Sequence, residues 1–167
     1  MDCNRIKAEE KNMDMIIREA AEIDLPAVLV LYAQLGQDDG SVLSLEEAGR
    51  ILDRMNNYPD YRLYVAVIKR RVVGTFAMLI MDNMAHKGAR SAIIEDVVVD
   101  ERLRGQGLGK KMILFAYGLC HEKGCYKMAL TSNKNRKEAH RFYESLGFEQ
   151  HGYSFSINSP EMISRSV

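Results

Sequence analysis

The stretch from Ser91 to Lys123 constrains the fold more than any other part of the chain. SAIIEDVVV, Ser91 to Val99, is rich in β-branched residues and reads as a strand that ends at Asp100. The turn ERLRGQGLG follows. From Lys110 to Lys123 the apolar residues return at helical spacing, with Met112, Phe115, Ala116 and Leu119 on one side and Gly124 as a stop. A strand that passes through glycines straight into a helix belongs to a layered sheet-and-helix domain. The alternate glycines Gly105, Gly107 and Gly109 let backbone N–H groups turn toward one point with no side chains in the way. The helix start adds unpaired N–H groups and the positive end of its dipole, so the turn suits a pyrophosphate. Arg102, Arg104 and Lys110 bring positive charge nearby.

Other phosphate loops do not fit. A dinucleotide turn needs G-x-G-x-x-G, whereas this chain has G-x-G-x-G, and no acidic residue closes a βαβ unit at the expected distance. A P-loop needs GxxxxGK followed by Ser or Thr. Gly105 to Lys110 is one residue short of that, and Lys111 stands where the magnesium-binding hydroxyl belongs.

The remaining elements surround this unit. Met15 to Arg18 reads as a short first strand, and Glu22 to Leu35 carries Ile23, Ala27, Val30 and Leu31 at helical spacing. After GQDDGS, Ser44 with Glu47 three positions on is a capping-box pattern, which opens a helix over 45–56 that ends before Tyr58-Pro59. YRLYVAVI and VVGTFAMLIM, separated by the charged turn KRR, read as a β-hairpin. KMALTS is a later strand, Lys137 to Leu146 a helix stopped by Gly147, and Phe148 begins a last strand region that continues through Tyr153 to Ile157. The order βααβββαβαβ predicts an α/β (α+β) fold, a mixed sheet with helices on both faces.

Composition narrows the classes. A chain of 167 residues fits one domain that buries about 70% of its unfolded surface, here 15–159 between tails at 1–14 and 160–167. The 23 Lys and Arg balance the 23 Asp and Glu, so no global field attracts nucleic acid or an anionic membrane. The three cysteines are odd in number and form no CxxC pair, which argues against a disulfide framework. No His, Cys and carboxylate grouping has metal-ligand spacing, so no metal is implied. The charged opening MDCNRIKAEEKNMDM lacks the apolar core of a secretory signal, and the longest apolar run, Val72 to Met81, is too short to span a bilayer. A cytoplasmic location is expected.

Arg104, Gly107 and Gly109 meet the pattern Arg-x-x-Gly-x-Gly, and AHRFYESLGF, Ala139 to Phe148, places a helix with Tyr143 before Gly-Phe. Together these motifs resemble the two signatures of the GNAT superfamily of acyl-CoA N-acyltransferases, over about Ile16 to Ile157. The resemblance implies a mixed six- to seven-stranded sheet with about four helices on both faces. It also implies transfer of acetyl from acetyl-CoA, the cosubstrate, to a primary amine by direct attack in a ternary complex.

Residue roles follow from the same resemblance. Arg104, Gly105, Gln106, Gly107, Leu108, Gly109 and Lys110 would hold the coenzyme A pyrophosphate. The strand end Val97, Val98 and Val99 would pair with the pantetheine arm, with the N–H near Val98 donating to the thioester oxygen. Three valines are equally what a buried strand demands, and the two readings are compatible. Tyr143 aligns with the tyrosine that protonates the leaving thiolate; a phenol of pKa ~10 keeps its proton at neutral pH. A core tyrosine whose hydroxyl merely finds a partner is the alternative. Glu95 is the first choice for the base that takes the amine's proton through water, and Asp96 the second. Period-two alternation places Glu95 with Val97 and Val99, and Asp96 with Ile94 and Val98. Carboxylates satisfied by arginines or backbone N–H groups are the competing reading.

Where many relatives have Asn, this chain has Arg136, which would reach a phosphate or the substrate. His121, His140, Cys120 and Cys125 read as surface or packing residues. The acceptor, a small-molecule or peptide amine, is chosen in this fold by the loops at 36–44 and 82–90. Asp38 and Asp39 there either attract a cationic amine or are ordinary solvated acids. GCYK at 124–127 and IEDVVV are similar to eukaryotic glucosamine-phosphate acetyltransferases, but 131–140 differs, so that acceptor does not carry over. Two further readings are a non-catalytic acyl-CoA-binding sensor and a transferase for longer acyl groups with a pocket near Phe76, Met78 and Tyr143. The resemblance also admits a homodimer.

Overall fold

The computed structural model describes residues 14–36 and 40–156. The chain divides into two compact units, Met1–Leu130 and Thr131–Val167. The first holds a five-stranded sheet in sequential order: β1 (Met15–Glu19), β2 (Tyr61–Ile68), β3 (Arg71–Met81), β4 (Arg90–Val99) and β5 (Cys125–Ala129). Neighbours from β1 to β4 are antiparallel, whereas β5 runs parallel to β4 and is reached through a helical crossover. Its α-helices are α1 (Leu25–Leu35), α2 (Leu45–Asn56) and α3 (Leu108–Glu122).

Local chemistry sets the boundaries. Asp24, buried at the entry to α1, accepts from the Arg18 guanidinium at 2.6 and 2.9 Å and from the Ala21 N–H at 2.8 Å, which ties β1 to α1. The Arg18 bond holds the Asp24 carboxyl below its ordinary pKa. The capping box forms as expected: Ser44 Oγ accepts from the Glu47 N–H at 3.3 Å, and the Glu47 carboxylate accepts from the Ser44 N–H at 3.1 Å. At the β2–β3 turn, Ile68 pairs with Arg71, leaving only Lys69 and Arg70, both left-handed at φ 47° and 66°. That is a type I′ turn, a geometry usually filled by Asn-Gly.

Alternation along β2 and β3 supplies both faces of the sheet. Leu63, Val65 and Ala77 pack with Leu25, Val28, Ala48 and Leu52 from α1 and α2. On the other face Tyr64 stacks on Phe76 with ring centroids 5.1 Å apart and meets Phe115 of α3 edge-on at 5.7 Å. Gly74 lets α3 sit this close: a Cβ there would lie 2.7 Å from Met112 Sδ and 3.1 Å from the Val98 carbonyl oxygen. Helices on both faces are therefore present within this unit.

The second unit carries α4 (Lys137–Glu144). Its end is a Schellman motif, in which the Phe148 N–H donates to the Tyr143 carbonyl at 3.1 Å and the Gly147 N–H to that of Glu144 at 3.0 Å. Gly147 takes φ 90°, and the Phe148 ring packs 5.6 Å from that of Tyr143. The Tyr…Gly-Phe spacing of the sequence thus encodes a helix stop with its apolar clasp.

The strand expectations need correction. The sheet of the described residues has five strands rather than six or seven, and β5 ends at Ala129 rather than Ser132. Residues 148–156 form no strand, and Ile157 lies outside the described residues. Tyr153 and Phe155 keep the alternation of a strand yet are 93% and 92% exposed. Strand propensity reflects packing against neighbours, and no partner strand covers this segment among the described residues.

Candidate active site

The glycine turn begins where β4 stops. The Asp100 N–H donates to the Val73 carbonyl at 2.9 Å, and the Asp100 carboxylate accepts from the Arg102 N–H at 3.1 Å, which starts a short 3₁₀ turn over Glu101–Leu103. The Glu101 N–H donates to Gln34 of α1 at 3.0 Å, and Arg104 Nε donates to the Val99 carbonyl at 3.3 Å. Gly105 and Gly107 are left-handed at φ 76° and 81°. A Cβ at either position would meet nothing within 4 Å, so beyond their φ the glycines leave open space for an approaching ligand. Gly107 caps α3, whose ladder starts with the Lys111 N–H on the Gly107 carbonyl at 3.2 Å. The N–H groups of Leu108, Gly109 and Lys110 therefore have no partner inside the helix. The Leu108 side chain is buried and anchors the turn, while Gln106 and Lys110 are exposed.

Strand β4 is two different strands end to end. Its pairing with β5 runs from Arg90 to Ile93 and stops there, although β4 continues to Val99. Along that edge Ile94 to Val99 have no partner strand among the described residues. On the opposite edge Val98 pairs with Thr75 but Glu95 pairs with Ala77, so β4 carries one residue more than β3 across that interval. The bulge falls at Asp96, left-handed at φ 51°, a conformation Asp tolerates better than most residues.

This bulge overturns the expected alternation. Thr75 and Ala77 share a face, so their partners Val98 and Glu95 do too, and Glu95 is not grouped with Val97 and Val99. The charges of Glu95 and Asp96 both push up the pKa of the Tyr61 phenol, second to its own burial. Asp96 retains accessible surface, but partial burial raises its carboxyl above the ordinary value. Tyr32 of α1 completes the cluster: burial raises its pKa, and the Asp96 charge adds to this. Thr75 Oγ1 donates to the Tyr64 carbonyl at 2.7 Å. Tyr32 and Tyr61 were absent from the sequence reading. The available signal was Tyr32 four residues after Val28, on the buried side of α1.

In the second unit Arg136 caps the start of α4 and is exposed. Its charge lowers the Tyr143 pKa, but the larger effect of burial raises it, so the phenol holds its proton more firmly than a free one. Asn133 accepts from the Asn135 N–H through its side chain at 2.9 Å, and His140 Nε2 lies 3.0 Å from the Asn133 carbonyl oxygen. Ser132 Oγ is buried without a hydrogen-bond partner among the described residues. Asp38 and Asp39 lie outside them. Phe76 and Met78 are fully buried in the first unit. The Cys120 thiol is pushed up to about 12, chiefly by burial, as suits a packing residue. Among the described residues no group of His, Cys, Asp or Glu is placed to hold a metal, and no helix is long and apolar enough to cross a membrane.

A strand released along one edge, a bulge in it and a glycine turn into a helix dipole together suit an anionic ligand with an extended arm. The acetyltransferase (GNAT) family model matches residues 29–148, and the chain belongs to that family. It is 34% identical over 140 residues to the glucosamine 6-phosphate N-acetyltransferase of Trypanosoma brucei brucei, covering 83% of this chain and 92% of that protein. It is 31% identical over 120 residues to that of Arabidopsis thaliana, covering 70% and 78%. A crystal structure of a Trypanosoma brucei acetyltransferase superposes with a TM-score of 0.76 at 32% identity, over 87% of this chain and all of that one. The chain is an acetyl-CoA-dependent N-acetyltransferase.

Proposed function

We propose that the chain acetylates a small primary amine, with the pantetheine arm of acetyl-CoA laid along Val97, Val98 and Val99 and the pyrophosphate held by Arg104 to Lys110. The observation that carries this is the unpaired edge of β4 running into the open glycine turn. A neutral amine attacks the thioester carbonyl, whose developing oxyanion takes a hydrogen bond from the N–H near Val98. The C–N bond forms as the C–S bond breaks. Glu95 accepts the amine's proton through water, with Asp96 as the second candidate, and Tyr143 gives its proton to the departing thiolate. Arg136 contacts a phosphate of coenzyme A or of the acceptor.

The acceptor to try first is glucosamine 6-phosphate, the substrate in the names of two relatives. The protein works in the cytoplasm as a homodimer; the exposed, unpaired Tyr153 and Phe155 support self-association. Acetyl-CoA titration by calorimetry, with thiol release measured over a panel of amines, tests the assignment. Binding with turnover that falls in Glu95→Gln supports it. No binding would sink it, and full turnover in both Glu95→Gln and Asp96→Asn would remove both carboxylates as bases.

A further inference from the structure

The fold sorts its cations by end of the sheet. Lys69, Arg70 and Arg71 at the β2–β3 tip, and Arg102, Arg104 and Lys110 around the glycine turn, form no ion pair among the described residues. Register puts both groups at one end: Gly74 pairs with Val99, the last residue of β4, and the Asp100 N–H continues onto the Val73 carbonyl at 2.9 Å. The tip therefore projects about 10 Å past the end of β4, beside the strand from which the glycine turn departs. Among the described residues the acids of that end are Asp14, Asp100 and Glu101, and the Asp100 carboxylate is already engaged by the Arg102 N–H. Lys69 and Arg70 also occupy left-handed positions that Asn and Gly would fill with less strain, so the turn spends conformational energy to present cations.

We propose that the Lys69–Arg70–Arg71 tip receives the 3′-phosphate of the adenosine of coenzyme A; this rests on the coenzyme A reading of the glycine turn. The glycine turn and the α3 N-terminus suit the diphosphate. One ribose away, the 3′-phosphomonoester carries about −1.5 to −2 charge at neutral pH and needs cations of its own. The tip supplies them, and the site distinguishes the coenzyme from its 3′-dephospho form.

The test is calorimetry of acetyl-CoA and 3′-dephospho-acetyl-CoA on the wild type and on a variant carrying Lys69→Asn, Arg70→Gly and Arg71→Gln. Asn-Gly suits a type I′ turn, so the variant should melt no lower than the wild type. The wild type is expected to bind acetyl-CoA at least about tenfold tighter than the dephospho form, and the variant to bind both equally. A variant that keeps the discrimination, or a wild type that never shows it, overturns the role of the tip while leaving coenzyme binding intact. A wild type that binds neither coenzyme refutes the coenzyme reading itself.

Discussion

The two ends of the sheet treat charge in opposite ways. At the end where β2 and β4 begin and α3 finishes, Lys123 lies 2.7 Å from Asp60, Arg90 lies 2.9 Å from Asp82 and 3.6 Å from Asp60, and Arg62 lies 3.6 Å from Glu19. These cations have partners within the protein. At the other end Lys69, Arg70, Arg71, Arg102, Arg104 and Lys110 form no ion pair among the described residues, although Arg104 donates to the Val99 carbonyl, and the first N–H groups of α3 have no partner inside the helix. An end whose groups satisfy one another contributes to stability, and an end whose groups are left over is arranged for a ligand. Substitutions should then separate: those at the paired end shift melting with little effect on coenzyme binding, and those at the open end do the reverse.

The sharpest attempt to break that division is Gly107→Glu. The left-handed φ of 81° costs any side chain on the order of 1–2 kcal/mol, so melting should fall by a few degrees while the fold is kept, and coenzyme affinity is the readout that separates the two ends. The carboxylate would stand in the space left for the pyrophosphate and repel it. Acetyl-CoA affinity should drop by at least about 100-fold, or roughly 2.7 kcal/mol by calorimetry. Near-normal binding would mean the open end is not the coenzyme end.

Tyr143→Phe, in the second unit, belongs to neither end and should move neither quantity. Its expected effect is on turnover, a fall of about 100-fold in kcat with the acetyl-CoA dissociation constant unchanged. The wild-type profile carries a further sign. Burial raises the Tyr143 pKa, so the proton-donating form persists above the ordinary tyrosine value of 10, and any alkaline limb due to this residue should appear above that pH. A limb near neutrality that vanishes in Tyr143→Phe would contradict the assignment.

How much of this was legible in the sequence depended on whether one short segment set the geometry. Gly105 and Gly107 could be read because a phosphate turn demands left-handed residues without side chains, and Ser44 with Glu47 because both partners of a capping box lie within one helical turn. The bulge at Asp96 was not legible: IIEDVVV looks the same whether or not β4 gains a residue against β3, and only the register with Thr75 and Ala77 decides it. The expected strand after Phe148 failed for a related reason, since its alternation was real but no neighbour among the described residues pairs with it. The role of Gly74 depends on Met112, far away in sequence.

Gly74→Ala converts that last point into a stability test. The added methyl would press on Met112 Sδ and the Val98 carbonyl, and because one neighbour is backbone the strain cannot all be relieved by a side chain. Overpacking of this kind costs roughly 1–3 kcal/mol. Thermal melting should show the loss. Equal melting for Gly74→Ala and the wild type would mean α3 is seated less tightly than the geometry indicates.

The smallest effect concerns Asp60, which joins Lys123 and Arg90 at the paired end. Its side chain is 22% exposed and its partners are 45% and 38% exposed, so solvent screens both interactions and their contribution must be discounted accordingly. Asp60→Asn should therefore cost about 0.5–1 kcal/mol, equivalent to a fall of roughly 1–4 °C in melting temperature. Added salt should shrink the difference between variant and wild type, because screening weakens the pairs that only the wild type has. Acetyl-CoA affinity should stay the same at every salt concentration relative to the wild type. If Asp60→Asn weakened coenzyme binding instead, the two ends would be electrostatically coupled through the sheet, and the separation of stability from binding would fail at the site where it is easiest to measure.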